Sequence, residues 1–115
     1  AESVISDLKT LKTKCENNNI VPIFMTLPPI NPESIEKVFN EPTADDWREE
    51  MDKVNQYIRN DTLHIDLAIR MNYPGGIMPE RLALNGLHPD NNDKRKMASI
   101  INAELPKILK SLKQK

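Results

Sequence analysis

Ile20-Val21-Pro22-Ile23-Phe24-Met25-Thr26-Leu27 is nearly all apolar and rich in β-formers. Such a run predicts a strand buried on both faces, the kind that parallel sheets place beneath helices. Pro22 has no backbone donor and belongs at the strand's start. Pro28-Pro29 ends it. A strand of this type requires covering helices, and the flanking sequence supplies them. Upstream, Val4, Ile5, Leu8, Leu11 and Cys15 form a helical stripe that stops at Asn17-Asn18-Asn19, since Asn tolerates the left-handed cap position. Downstream, Asn31-Pro32 offers an N-cap followed by proline at the first helical position, opening a short turn through Ile35, Val38 and Phe39.

Thr43 is a good cap for a second long helix, whose Trp47, Met51, Val54 and Ile58 lie on one stripe. Leu63–Ile69 mixes apolar and polar positions as a second strand would. Arg70 to about Asn92 is an irregular stretch holding three prolines and three glycines, and a loop of that length inside a domain is usually functional. A final helix runs from about Asp93 with Met97, Ile101, Leu105, Ile108 and Leu112 inward, and Pro106 removes one of its donors.

Strands alternating with helices predict an α/β fold with a parallel sheet and a right-handed crossover. The expected architecture is the three-layer α/β/α, flavodoxin-like kind. Only two strands are legible, however, and two parallel strands leave most edges bare. The expectation is therefore a single partial domain over residues 1–115, the C-terminal half of a larger one.

Charge and cysteine content exclude several classes. Sixteen Lys and Arg against seventeen Asp and Glu leave a net charge of -1, which argues against a nucleic-acid or polybasic membrane partner. No apolar run approaches the ~18 residues of a membrane span. One cysteine, Cys15, permits neither an internal disulfide nor a cysteine zinc cage. No compartment follows, because a leader would lie upstream of this half.

Ligands in open parallel sheets bind beyond the carboxyl ends of the strands. The Pro28–Asn31 loop and the long loop should meet there. The long loop carries Asn85-Gly86-Leu87-His88-Pro89, followed at a short distance by Lys96-Met97-Ala98. This block resembles the last conserved block of the SGNH (GDSL-type) hydrolases, Asp-x-x-His-Pro. Thr26-Leu27-Pro28-Pro29, and Val54-Asn55 ahead of the strand with Asp66, are similar to that family's order of elements. The resemblance implies the fold expected above and a Ser-His-Asp triad in which His88 is the general base.

The chain departs from the family in three ways, one being Asp93 where the family usually has a glycine five residues after the His. Asn85 stands at the aspartate position. An amide can orient an imidazole but carries no charge to stabilise the imidazolium; Asp90 is a nearby carboxylate that could take that role. No Gly-Asp-Ser or Gly-x-Asn-Asp occurs, and none of Ser3, Ser6, Ser34, Ser99 and Ser111 has a nucleophile setting. The resemblance thus implies a half-site, His88 with Asn85, for hydrolysis of small acyl esters such as carbohydrate acetates, inactive without its nucleophile. It calls for no cofactor and no metal. His64-x-Asp66 and His88-x-Asp90 supply too few converging ligands for zinc, and His64 reads as a structural histidine. Two alternatives stay open: a non-catalytic SGNH-like binding module, which Asn85 favours, and a fragment that pairs with a second copy through unpaired strand edges.

Overall fold

Helices dominate the chain. The structure is a computed structural model and describes residues 1–79, 86 and 90–113. Its elements are α1 (Glu2–Asn17), β1 (Phe24–Met25), α2 (Pro32–Phe39), α3 (Trp47–Asp61), β2 (His64–Ile65), α4 (Leu67–Arg70) and α5 (Asn91–Lys113), with a 3-10 turn at Pro74–Gly76. They divide between two compact units, one of Ala1–Leu27 with Ala44–Asp66, the other of Pro28–Thr43 with Leu67–Lys115.

The first unit is α1, β1, α3 and β2. The strands run parallel, with Phe24 opposite His64 and Met25 opposite Ile65. Phe24, Val54 and Ile58 form its buried cluster, and Ile5 and Leu8 of α1 pack against them. Burying each such side chain contributes about 1.5–3 kcal/mol. The expected α3 stripe faces inward, with Val54 and Ile58 buried and Trp47 and Met51 half-buried. The helix starts at Trp47 with Asp46 as its cap residue rather than at Thr43. α1 ends in the asparagine run as expected, Asn19 taking the left-handed φ of 59°.

The three-layer α/β/α expectation is overturned. Among the described residues the sheet has two strands of two residues each, and the rest is mainly helix. The run 20–27 pairs only at its middle. Pro22 offers the ladder no donor, and burial alternates beyond it, with Phe24 and Thr26 buried while Met25 and Leu27 are exposed. The strand is therefore covered on one side rather than two. The second expected strand stops at Ile65 because Leu67–Arg70 closes a helical turn, sealed by the Met71 N–H donating to the Leu67 carbonyl at 2.8 Å. So short a ladder has no second face for another helical layer.

The second unit holds α2, α4, the 3-10 turn and α5. α5 is continuous across Pro106. Ile100 and Asp93 are its buried residues, with Met97, Ile101, Leu105, Ile108 and Leu112 half-buried along the same face. Arg70 of α4 pairs with Glu104 of α5 at 2.7 Å. No helix among the described residues is long and apolar enough to cross a membrane.

Candidate functional site

α2 begins where it does because Asn31 caps it. The Asn31 Oδ1 accepts from the Ser34 N–H at 3.2 Å, and Pro32 presets the first helical φ. Asn31 has further polar groups to satisfy, and the long loop provides the partners. Its Nδ2 donates to the Met78 carbonyl at 2.9 Å, and its backbone N–H donates to the Gly86 carbonyl at 2.8 Å. The Met78 N–H returns to the Ile30 carbonyl at 3.0 Å. The two loops that the sequence places at one functional edge are thus joined within this unit, through a single asparagine.

Gly86 is the residue that allows the approach. It is buried with φ of 75°. A Cβ there would stand 2.3 Å from the Asn31 carbonyl oxygen and 2.8 Å from the Ile35 nitrogen. Only a residue without a side chain fits both that φ and that gap.

Three residues after His88 in sequence, α5 opens on a second cluster. Asp90 Oδ1 accepts from the Asp93 N–H at 2.9 Å, and the Asp90 carbonyl accepts from the Lys94 N–H. Asp90 is therefore the helix cap, and the orienting role weighed for it competes with that bond. Asp93 is fully buried. Its Oδ1 accepts from the Tyr73 hydroxyl at 2.9 Å, while Oδ2 has no hydrogen-bond partner among the described residues. Burial pushes the Asp93 carboxyl above its ordinary value, the Tyr73 bond and Lys96 pull it back, and Asp90 adds to the rise. Lys96 lies over the Tyr73 ring, 4.5 Å from its centroid, with Nζ 3.4 Å from the hydroxyl.

Asn85 and His88 lie outside the described residues. Of the serines, Ser34 is buried in the first turn of α2, and Ser3, Ser6, Ser99 and Ser111 are exposed on α1 and α5. His64 behaves as a structural residue, half-buried with Nδ1 2.9 Å from the Thr62 carbonyl oxygen. Among the described residues, no three His, Cys, Asp or Glu side chains converge for a metal ion.

Sequence reasoning missed a brace in the first unit. Asn55 is buried and brackets Leu27, its Oδ1 accepting from the Leu27 N–H at 2.7 Å and its Nδ2 donating to the Leu27 carbonyl at 3.1 Å. One turn later on α3, Arg59 grips Asp66 with two bonds, Nε at 2.7 Å and Nη2 at 3.1 Å. The buried Thr26 hydroxyl donates to the same carboxylate at 2.8 Å. The bond to Asp66 raises the Arg59 guanidinium above its ordinary value despite partial burial. These groups sit just past the carboxyl ends of β1 and β2, and their bonds to one another hold those ends together. The signal was present in the i, i+4 spacing of Asn55 and Arg59, each following an inward apolar residue.

No protein-family model, curated protein or solved structure matches the chain.

Proposed function

We propose that this chain carries the general-base half of a serine ester hydrolase of the SGNH kind. The observation that carries the reading is the block Asn85-Gly86-Leu87-His88-Pro89 with Lys96-Met97-Ala98 behind it. Two structural features support it. The Pro-rich loop and the loop of the block are tied through Asn31. The strand before that Pro-rich loop also pairs in parallel with the next strand, with α2 and α3 intervening in sequence.

In this reading His88 Nε2 takes the proton of a serine hydroxyl as that oxygen attacks the ester carbonyl. It then returns the proton to the leaving alcohol, and later activates the water that frees the acid. Asn85 orients the ring. The serine and the oxyanion donors belong to polypeptide other than these 115 residues, since no serine here has the required setting. Substrates are small acyl esters, with carbohydrate acetates the leading class.

A short-chain aryl ester tests the reading. This chain alone should show no turnover above background. A longer chain carrying the serine should lose about 10³-fold or more in kcat on His88→Ala. Unchanged turnover in that variant would sink the catalytic role. Asn85 favours a second reading, a binding module of the same kind that has lost a full triad; retained carbohydrate binding without turnover in the longer chain would select it.

A further inference from the structure

We propose that the open edge of β1 is a self-association surface, on which two copies of this chain pair antiparallel. The proposal does not rest on the hydrolase reading. The ladder with β2 uses one edge of β1: the Phe24 N–H donates to the Leu63 carbonyl at 2.9 Å, and the Thr26 N–H to the Ile65 carbonyl at 3.2 Å. Planar trans peptides then turn the Ile23 carbonyl, the Met25 N–H and the Met25 carbonyl the other way. Among the described residues nothing bonds to these three groups. The open stretch is bounded at both ends. Pro22 has no donor, and the Asn55 side chain already brackets the Leu27 N–H and carbonyl. Charge is what commonly keeps such an edge from pairing. No charged residue occurs from Ile20 to Asn31, whereas the opposite edge, on β2, is flanked by Asp61 and Asp66.

A second copy is the occupant that fits, because the open stretch is complementary to itself. With a twofold axis at Phe24, the Met25 N–H of each copy donates to the Ile23 carbonyl of the other. An axis at Met25 would instead bring Ile23 against Leu27, whose backbone groups Asn55 already holds. The Phe24 register also sets Ile23 beside Met25 and Val21 beside Leu27 across the pair. Val21, Met25 and Leu27 are 56%, 42% and 40% exposed in the single chain. Pairing therefore covers apolar side chains that one chain leaves in water, against apolar side chains of the other. The contact is isologous and uses up both open edges, so it closes at two copies.

Sedimentation and amide exchange of the 115-residue chain test this together. From micromolar to submillimolar concentration the mass should rise from one chain to two and stop there. Over the same range, exchange of the Met25 amide should slow from an unprotected rate. That of Phe24, bonded to the Leu63 carbonyl in either state, should be slow at every concentration. Met25→Lys acts on an exposed side chain, so the fold tolerates it, and it sets like charges diagonally across the pair. It should weaken dimerisation by about tenfold or more. Met25→Pro removes the pairing donor outright; should it fail to fold, Met25→Lys still decides. A chain that stays single at the top of the range would overturn the proposal. So would a dimer indifferent to Met25→Lys, which must pair elsewhere, or growth beyond two copies. A Met25 amide protected at every dilution would overturn it as well, because the chain's own residues would then cover the edge.

Discussion

The Tyr73 hydroxyl donates to Asp93 Oδ1 at 2.9 Å, while Oδ2 of the same buried carboxyl has no hydrogen-bond partner among the described residues. Burial raises the Asp93 pKa, so protonation favours the folded state. Its stabilising contribution is fully present below the ordinary carboxylate value of ~3.9 and is lost as pH rises through the elevated folded value. Asp93→Asn should remove that slope. The difference in unfolding free energy between wild type and variant, followed by urea denaturation from pH 3 to 8, should shift in the variant's favour as pH rises. A pH-independent difference would refute this. Tyr73→Phe should cost about 1.5–3 kcal/mol where the carboxylate is ionised, as expected for a hydrogen bond to a charged group.

Asn55 stands in for a neighbouring strand at Leu27, supplying one acceptor and one donor as a ladder would. Asn55→Ala strands both backbone groups and should destabilise the chain by about 1–2 kcal/mol. The specific readout is hydrogen exchange. The Leu27 amide should lose protection while the amides of α5 keep theirs, and an unchanged Leu27 rate would show that the bracket is not what protects it.

How much of this was legible depended on whether the signal was local. Asn31-Pro32 caps a helix through its own next turn, so three residues announce it, and the α3 stripe is likewise visible because periodicity is a one-dimensional property. The two strands were expected to be longer than they are. Composition reported that Ile20–Leu27 and Leu63–Ile69 favour β structure, but pairing is non-local, and only Phe24–Met25 and His64–Ile65 find each other. Leu67–Arg70 turned helical with an inward Leu67 at no cost in burial. The bonds from Asn31 to Met78 and Gly86 cross 47 and 55 positions, and no spacing rule reaches that far.

Arg59 and Asp66 form a two-bond pair that a lysine cannot reproduce, since it offers a point charge rather than a planar fork. Both side chains are partly exposed, at 33% and 22%, so solvent screens the attraction. Arg59→Lys should therefore cost about 1 kcal/mol with net charge unchanged. Arg59→Ala should cost more, since it leaves Asp66 with the Thr26 hydroxyl but no cation from α3. The loss should be nearly insensitive to added salt for Arg59→Lys, because it reflects geometry. A loss that vanishes in 1 M NaCl would assign the pair to simple charge attraction instead.

Gly75 and Gly86 share a φ of 75° but not an environment. A Cβ at Gly75 meets nothing within 4 Å, whereas one at Gly86 meets the Asn31 carbonyl oxygen at 2.3 Å and the Ile35 nitrogen at 2.8 Å. Gly75→Ala should incur only the left-handed backbone penalty of about 1–2 kcal/mol. Gly86→Ala carries the same penalty and must also push backbone atoms apart, breaking the bond from Asn31. It should lower stability by at least about 1 kcal/mol more than Gly75→Ala, the cost of one lost hydrogen bond. It should also raise the exchange rate of the Asn31 amide, which Gly75→Ala leaves alone. Equal losses in the two variants, with Asn31 protected in both, would mean that Gly86 is required for its φ and not for its closeness to Asn31.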